Sequence, residues 1–193
     1  MTEREGERVI VKDAIFTADV PCAQPRQATL IPISLAQSVQ GKYFVGQTDN
    51  LWVGNGSFAW ACLYNPAHSG TLLFANVMTV SNFSNSALTA EIWLNAELPE
   101  IGMISPKVSP SNTALQPAPA PSVQIRYVQS TKETPRNGVN IFDRIVPPAG
   151  TLVSEEDGKF IVPPGGNYAV FIKSPSAELS RVIVAFGWWE DPA

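Results

Sequence analysis

The feature that most constrains the fold is an alternation of apolar and polar residues with a period of two. Over 88–96 the residues Leu, Ala, Ile, Leu and Ala alternate with Thr, Glu, Trp and Asn, and 123–127 repeats the pattern. A period of two places successive side chains on opposite faces of a β-strand. No window longer than two turns shows the three-to-four spacing of an amphipathic helix. The alternation therefore predicts a protein built from strands.

Similar runs predict strands along the rest of the chain, separated by turn residues such as those of 54–56, 137–138 and 163–166. Short strands between such turns favour an antiparallel sandwich over α/β units. We predict an all-β fold, a jelly-roll-like antiparallel β-sandwich formed by residues 28–193, with an N-terminal arm. The further strands are predicted at 8–18, 28–35, 42–48, 57–64, 71–83, 140–146, 167–173 and 181–189, with 151–162 as a hairpin that turns at Asp157 and Gly158.

Residues 1–27 differ from the rest and are predicted to form the arm. Seven of the first thirteen residues are charged. The strand-like part that follows carries the apolar residues Val9, Val11, Ile15 and Phe16. Such an arm can pair within its own domain, or it can add a strand to another subunit through main-chain hydrogen bonds.

The segment 98–122 contains six prolines, which disfavour a ladder strand in its latter half. We interpret it as a long, extended crossover. Two alternatives remain open at this point: the crossover docks on a neighbouring protein in a partly polyproline conformation, or it is a surface loop.

Charged residues are scarce in the body of the chain. They make up 16% of all residues, and between positions 27 and 90 the acidic and basic residues are Lys42 and Asp49 alone. A monomer in water normally carries Lys and Glu on its outer faces. Either the outer surface meets other protein, or Ser, Thr and Asn keep it soluble.

The charge balance also excludes some partners. The net charge is −4 and no Lys/Arg cluster occurs, which argues against nucleic acid and anionic membranes. The N-terminus is acidic, it lacks the apolar stretch of a secretory signal, and no window approaches a membrane span. We expect a chain that is made in the cytoplasm without a signal peptide.

The chain offers little for catalysis. Its one histidine, His68, lies in a predicted turn, and neither a Gly-x-Ser-x-Gly elbow nor a phosphate-binding glycine loop is present. Glu155, Glu156 and Asp157 precede a glycine, as in a solvated turn, without the spaced ligands of a calcium loop. We predict that the protein is not an enzyme and has no catalytic residue, cofactor or metal.

Aromatic residues and cysteines remain as candidate site residues. Trp93 lies on the polar face of its strand, and one of the adjacent Trp188 and Trp189 should point away from the core, so these three define a possible binding surface. Cys22 and Cys62 are forty residues apart, which fits no compact zinc or redox motif. They are either two free thiols or the ends of one bridge.

Several short segments of the sequence resemble those of other proteins. The segments 43–47, 141–148, 163–167 and 186–190 are similar to an uncharacterised family of small proteins from spore-forming bacteria, over most of 40–191. The overall plan also resembles the subunits of bacillus endospore appendages, which are jelly rolls with a flexible N-terminal connector. That resemblance implies stacking by sheet augmentation and a disulfide from Cys22 to another subunit, with Cys62 as the other candidate. The chain departs from that pattern because its arm has one cysteine rather than a cluster.

These observations favour a self-assembling structural subunit of a fibre or surface layer. Copies of the chain would bind one another, with the arm adding a strand to a neighbour. The expected final location is the spore or cell surface, where an anchor protein could hold the assembly. Two alternatives remain, namely a carbohydrate-binding module that uses exposed tryptophans and a phage virion decoration protein.

Overall fold

The computed structural model describes residues 30–193. The predicted arm residues Val9, Val11, Ile15 and Phe16, and Cys22 after them, lie outside the described residues. Over 30–193 the chain forms one short helix and twelve strands: α1 (Ile33–Val39), β1 (Tyr43–Gln47), β2 (Leu51–Val53), β3 (Phe58–Tyr64), β4 (Thr71–Asn82), β5 (Leu88–Leu94), β6 (Met103–Ile104), β7 (Val108–Pro110), β8 (Gln124–Thr131), β9 (Val139–Val146), β10 (Thr151–Val162), β11 (Asn167–Lys173) and β12 (Ser180–Pro192).

The strands form two six-stranded antiparallel sheets that pack as a sandwich. Sheet 1 has the order β10-β4-β12-β1-β7, with β2 pairing with β12, and sheet 2 has the order β6-β8-β3-β11-β5-β9. Eight of these strands form the jelly-roll framework, namely β1, β3, β4, β5, β9, β10, β11 and β12. Taken in chain order, the first pairs with the last (β1 with β12), the second with the seventh (β3 with β11), the third with the sixth (β4 with β10) and the fourth with the fifth (β5 with β9). This is the strand order of a jelly roll, so the predicted fold class is confirmed.

The main core lies between the two sheets because alternate residues of each strand face inward. Its largest fully buried side chains include Trp188, Tyr168, Leu51 and Met78. The rings of Phe44 and Trp188 approach to 5.8 Å between their centroids. The inward positions are those that the alternation of apolar residues predicts.

A second buried cluster lies on the outer face of sheet 2, where Trp60, Cys62, Val128, Ala169 and Phe171 pack together. The chain covers this cluster with the start of its own crossover. Leu98 packs against it, and Trp60 Nε1 donates a hydrogen bond to the Pro99 carbonyl oxygen at 2.8 Å. The outer face of sheet 2 is therefore partly an interior surface.

The crossover 98–122 then folds onto its own domain. Its two short strands pair with the edges of both sheets, β6 with β8 and β7 with β1. At its end, the Glu190 carboxylate accepts hydrogen bonds from the backbone N–H groups of Ser122 and Val123 at 2.9 and 3.1 Å. The crossover thus closes one side of the sandwich.

Two local predictions are wrong. A strand is predicted over 28–35, but the chain forms the helix α1 from Ile33 onward. Pro32 precedes the helix, and proline is tolerated at a helix start but disfavoured in a ladder strand. The predicted hairpin at 151–162 is one strand, since both of its halves pair with β4. Residues 156–159 form a bulge between them, and Asp157 and Gly158 have the positive φ angles that a turn and a bulge equally require.

Candidate interaction surfaces

The outer face of sheet 1 is open and almost uncharged. We define it by the outward residues of four neighbouring strands, and within this set Glu155, at the edge, is the one residue with a charged side chain. The set is Thr151, Val153, Glu155 and Ile161 on β10; Phe74, Val77, Thr79 and Ser81 on β4; Ile183, Ala185, Gly187 and Trp189 on β12; and Tyr43, Val45 and Gln47 on β1.

A shallow groove of about 620 Å³ runs across this face. Val45, Val77, Thr79 and Ala185 contribute to its lining, and 106–109 of the crossover borders it. Gly187 forms part of the floor, where a Cβ atom would lie 2.5 Å from Tyr43 Oη and 2.8 Å from Val77 Cγ1. The missing side chain at Gly187 therefore lets Tyr43 and Val77 pack over this strand.

The outer face of sheet 2 has a different character. Besides its covered aromatic cluster it carries an ion pair between Lys173 and Glu91. Arg126 stacks on the ring of Tyr64, with its Cζ atom 3.9 Å from the ring centroid. This face therefore carries more charged groups among its central strands than the outer face of sheet 1.

The three tryptophans predicted as a binding surface do not form one. Trp93 is partly buried, and its Nε1 donates a hydrogen bond to Glu91 Oε2 at 3.1 Å. Trp188 lies in the core, and Trp189 points to the outer face as the alternation predicts, but it is only 5% exposed. Phe74 stacks on Trp189 at 5.3 Å, and Gly158 of the β10 bulge lies against the same ring. The prediction of an exposed indole at 188 or 189 is therefore wrong.

The exposed aromatic residues lie elsewhere, at one end of the outer face of sheet 1, on β2 and just after β4. Trp52 on β2 pairs with Arg181 on β12, and the Phe83 N–H donates to the Arg181 carbonyl oxygen on the other side. Trp52 is 40% and Phe83 50% exposed. The Arg181 guanidinium lies 4.1 Å from the Phe83 ring centroid. Trp52 could have been found from the sequence, because apolar Leu51 and Val53 flank it and must face inward.

Cys62 is buried within the cluster on sheet 2. Burial raises the pKa of its thiol to about 12, although the nearby Arg126 charge opposes the shift. Because the thiolate is the reactive form, this cysteine is inert in the folded chain. A disulfide from Cys62 to the Cys22 of another subunit would require the cluster to open.

We expect Cys62 to be unreactive in the native protein. In a Cys22→Ser variant, a chromogenic thiol reagent at pH 8 should titrate no thiol before denaturation and one thiol per chain in guanidinium chloride. Rapid labelling under native conditions would show that the cover opens readily, and Cys62 would then remain a disulfide candidate.

The polar residues of the described part do not assemble into a catalytic arrangement. His68 is exposed in its turn. Glu156 is buried and accepts hydrogen bonds from Ser154 Oγ at 2.6 Å and Tyr168 Oη at 3.1 Å. Burial, reinforced by the Glu156 charge, raises the pKa of the Tyr168 hydroxyl far above its ordinary value, so it stays protonated.

Within residues 30–193 no three His, Cys, Asp or Glu residues converge as metal ligands. No helix of that part is long and apolar enough to cross a membrane.

Two antiparallel sheets in jelly-roll order, with one outer face partly covered and the other open, define a jelly-roll β-sandwich protein. The chain belongs to a family of unknown function, DUF6143, whose family model matches residues 21–193. No curated protein and no solved structure matches it.

Proposed function

We propose that the protein is a self-assembling structural subunit of a fibre or surface layer, in which the arm of one copy docks on a neighbouring copy by strand addition. The observation that carries the proposal is the open, charge-poor outer face of sheet 1. An antiparallel sheet that faces water usually shows polar residues outward, and charges there keep proteins apart. Val45, Val77, Val153 and Ile161 stand in those positions instead.

The contrast between the two outer faces supports this assignment. The chain covers the apolar cluster of sheet 2 with its own crossover, whereas Val45, Val153 and Ile161 on sheet 1 stay 42%, 57% and 54% exposed. Large uncovered apolar patches on a soluble protein mark interaction sites. The plan of the subunit also resembles the endospore appendage subunits, which supports assembly on a spore or cell surface. A phage decoration protein would use the same surface.

Removal of the arm tests the role of residues 1–27. A chain that begins at Gln27 should keep its thermal unfolding transition, because the described core starts at residue 30, and it should lose assembly. Light scattering after size-exclusion chromatography and negative-stain microscopy measure the result. Assembly equal to that of the full chain would refute the arm's role.

A matched pair of substitutions tests the face itself. Thr79→Glu places a carboxylate in the groove of sheet 1, whereas Thr89→Glu places one at an outward, half-buried position on sheet 2 next to Lys173. Burying an unpaired charge at an interface is strongly unfavourable, so Thr79→Glu should disperse the assemblies and Thr89→Glu should not. Equal behaviour of the two variants in the same scattering assay would exclude the outer face of sheet 1 as the contact.

The second candidate function is carbohydrate binding, and the exposed row of Trp52, Arg181 and Phe83 favours it. Exposed aromatic rings stack on sugars, and a hollow of about 330 Å³ beside Phe83 presents the hydroxyl groups of Ser81 and Thr151. Gel electrophoresis in the presence of soluble polysaccharides measures such binding. Trp52→Ala and Phe83→Ala should abolish retardation while Trp93→Ala keeps it, and equal retardation of all variants would rule out this row.

A further inference from the structure

One side of the sandwich is left open, where β9 forms the edge of sheet 2 and β10 the edge of sheet 1. Over the described residues β9 pairs only with β5, and β10 pairs only with β4. Between the two edges lie apolar side chains that the core covers only in part. We call this region the β9–β10 seam and define it by Ile141, Phe142, Arg144, Leu152 and Phe160.

The opposite side of the sandwich shows how this chain treats an exposed edge. There the crossover supplies β7 to pair with β1 and β6 to pair with β8. Unpaired edges bind other strands readily, and proteins usually cover or blunt them. The chain covers the edges of one side itself and leaves the edges of the eight-residue β9 and the twelve-residue β10 for a strand from elsewhere.

Arg144 is the most informative residue of the seam. It pairs in register with Ala90, a fully buried inward residue, so its side chain enters the space between the sheets. Its guanidinium lies 4.2 Å from the Phe142 ring centroid. The ion pairs formed within residues 30–193 involve Lys42, Lys107 and Lys173, and none of them includes Arg144.

Glu156, which acts together with Arg144 on the Tyr168 hydroxyl, is already engaged. Arg144 acts electrostatically on Tyr168, whose hydroxyl bonds Glu156, and Glu156 also accepts a hydrogen bond from Ser154. An inward arginine that lacks its own carboxylate is costly, and a partner that brings one gains a charge-assisted hydrogen bond. The seam therefore has two unpaired strand edges, apolar side chains that are only partly covered, and an arginine without an ion pair within residues 30–193.

We propose that the β9–β10 seam is the acceptor for the arm of a second copy of this chain, with Lys12–Phe16 pairing antiparallel to Thr151–Glu155 and Asp13 binding Arg144. The inference rests on the proposed function, because it names the site at which the arm docks. Twenty-nine residues precede the described part, which is more than enough chain to supply this strand.

The sequence of the arm supplies what the seam lacks. In the proposed register Lys12 lies opposite Glu155, which is the charged residue of the sheet 1 outer face. With a period of two, Val11, Asp13 and Ile15 then point together into the seam, where apolar side chains and Arg144 are available. The arm thus matches the seam in both apolar and charged positions.

The point where the described chain begins and the β9–β10 seam lie on opposite sides of the subunit. The described chain starts at Leu30 and leads into α1, which packs beside β1, and Ser38 of α1 bonds Ser111 just after β7. Two strands, β12 and β4, separate β1 from β10 in sheet 1. A head-to-tail contact between different surfaces repeats without closing unless the rotation makes a ring, so this geometry propagates into fibres.

Charge reversal with rescue tests the ion pair in the full-length chain. Arg144→Asp and Asp13→Arg should each raise the concentration needed for assembly by at least about tenfold, and the double variant should restore it. Arg126→Asp, which alters an outward arginine on the outer face of sheet 2, is the control and should assemble like the unmodified chain. Failure of the double variant to recover, with both single variants folded by circular dichroism, would overturn the ion pair.

A cysteine pair tests the register and the identity of the donor. In a Cys22→Ser background, Ala14→Cys and Val153→Cys should give a ladder of disulfide-linked oligomers under mild oxidation, whereas Ala14→Cys with Thr89→Cys should not. A cross-link within one chain would show that the arm fills its own seam, which overturns the second-copy assignment. If removal of residues 1–26 abolishes assembly but no cross-link or charge effect appears, the seam is wrong and the proposed function stands.

Discussion

Trp188→Ala should lower the free energy of unfolding by about 3–5 kcal/mol, the range for truncating a large buried aromatic residue. Trp188 is fully buried against Phe44. Its Nε1 also donates a hydrogen bond to Glu190 Oε1 at 3.0 Å. Removal of the indole leaves a cavity and takes one donor from a carboxylate that holds the end of the crossover. Guanidinium denaturation followed by tryptophan fluorescence or circular dichroism measures the loss.

Trp52→Ala is the matched control for this experiment. Trp52 is 40% exposed and its ring does not face the core, so its removal should change the free energy of unfolding by no more than about 1 kcal/mol. A loss equal to that of Trp188→Ala would contradict the placement of the two residues. An unchanged guanidinium unfolding midpoint for Trp188→Ala would contradict the placement of Trp188 on the inward face of β12.

Gly158→Ala is expected to have the second large effect, because two costs coincide at this position. The backbone has a φ of +76°, where a Cβ atom costs about 1–2 kcal/mol. In addition, that Cβ would lie 1.9 Å from Cη2 of Trp189, so the bulge must move away from the ring. Overpacking of this kind adds about 1–3 kcal/mol. The displaced bulge should expose Trp189, which a red shift of the native fluorescence would report.

Gly165→Ala separates these two costs. Gly165 has a φ of +88° and no atom within 4 Å of the position of a new Cβ, so the variant carries backbone strain without overlap. The difference between the guanidinium unfolding midpoints of Gly158→Ala and Gly165→Ala measures how tightly the bulge packs on Trp189. Equal midpoints would mean that the bulge does not cover this ring.

Much of the fold could be predicted because it depends on local alternation. The strands at 43–47, 58–64, 71–82 and 88–94 lie within one or two residues of their predicted limits. The helix at 33–39 was missed because two turns are too short to establish a helical period. The bulge of β10 was read as a hairpin because Asp157 and Gly158 satisfy the backbone demands of both structures.

The surfaces were harder to predict, since exposure depends on which segment of the chain covers which face. The alternation placed Trp189 outward, but nothing in the sequence indicates that Phe74 and a bulge 31 residues away would cover it. The same limit applies to Cys62, whose aromatic neighbours were predicted while its cover by the crossover was not. The charge-poor stretch 27–90 left a contact surface and a soluble polar surface as alternatives, and the sheet order places part of that stretch on the outer face of sheet 1.

The position of β12 has a consequence for the time at which the chain can bind its partners. β12 is the last strand in chain order, yet it lies in the middle of sheet 1 and pairs with β1, β2 and β4. During synthesis the ribosome completes the first three of these strands about 100 residues before β12. Sheet 1 cannot form until β12 has been synthesised. Its pairing with β1, β2 and β4 joins residues far apart in the sequence, and such non-local pairing is slow. A chain still on the ribosome therefore presents neither the groove nor a finished sandwich.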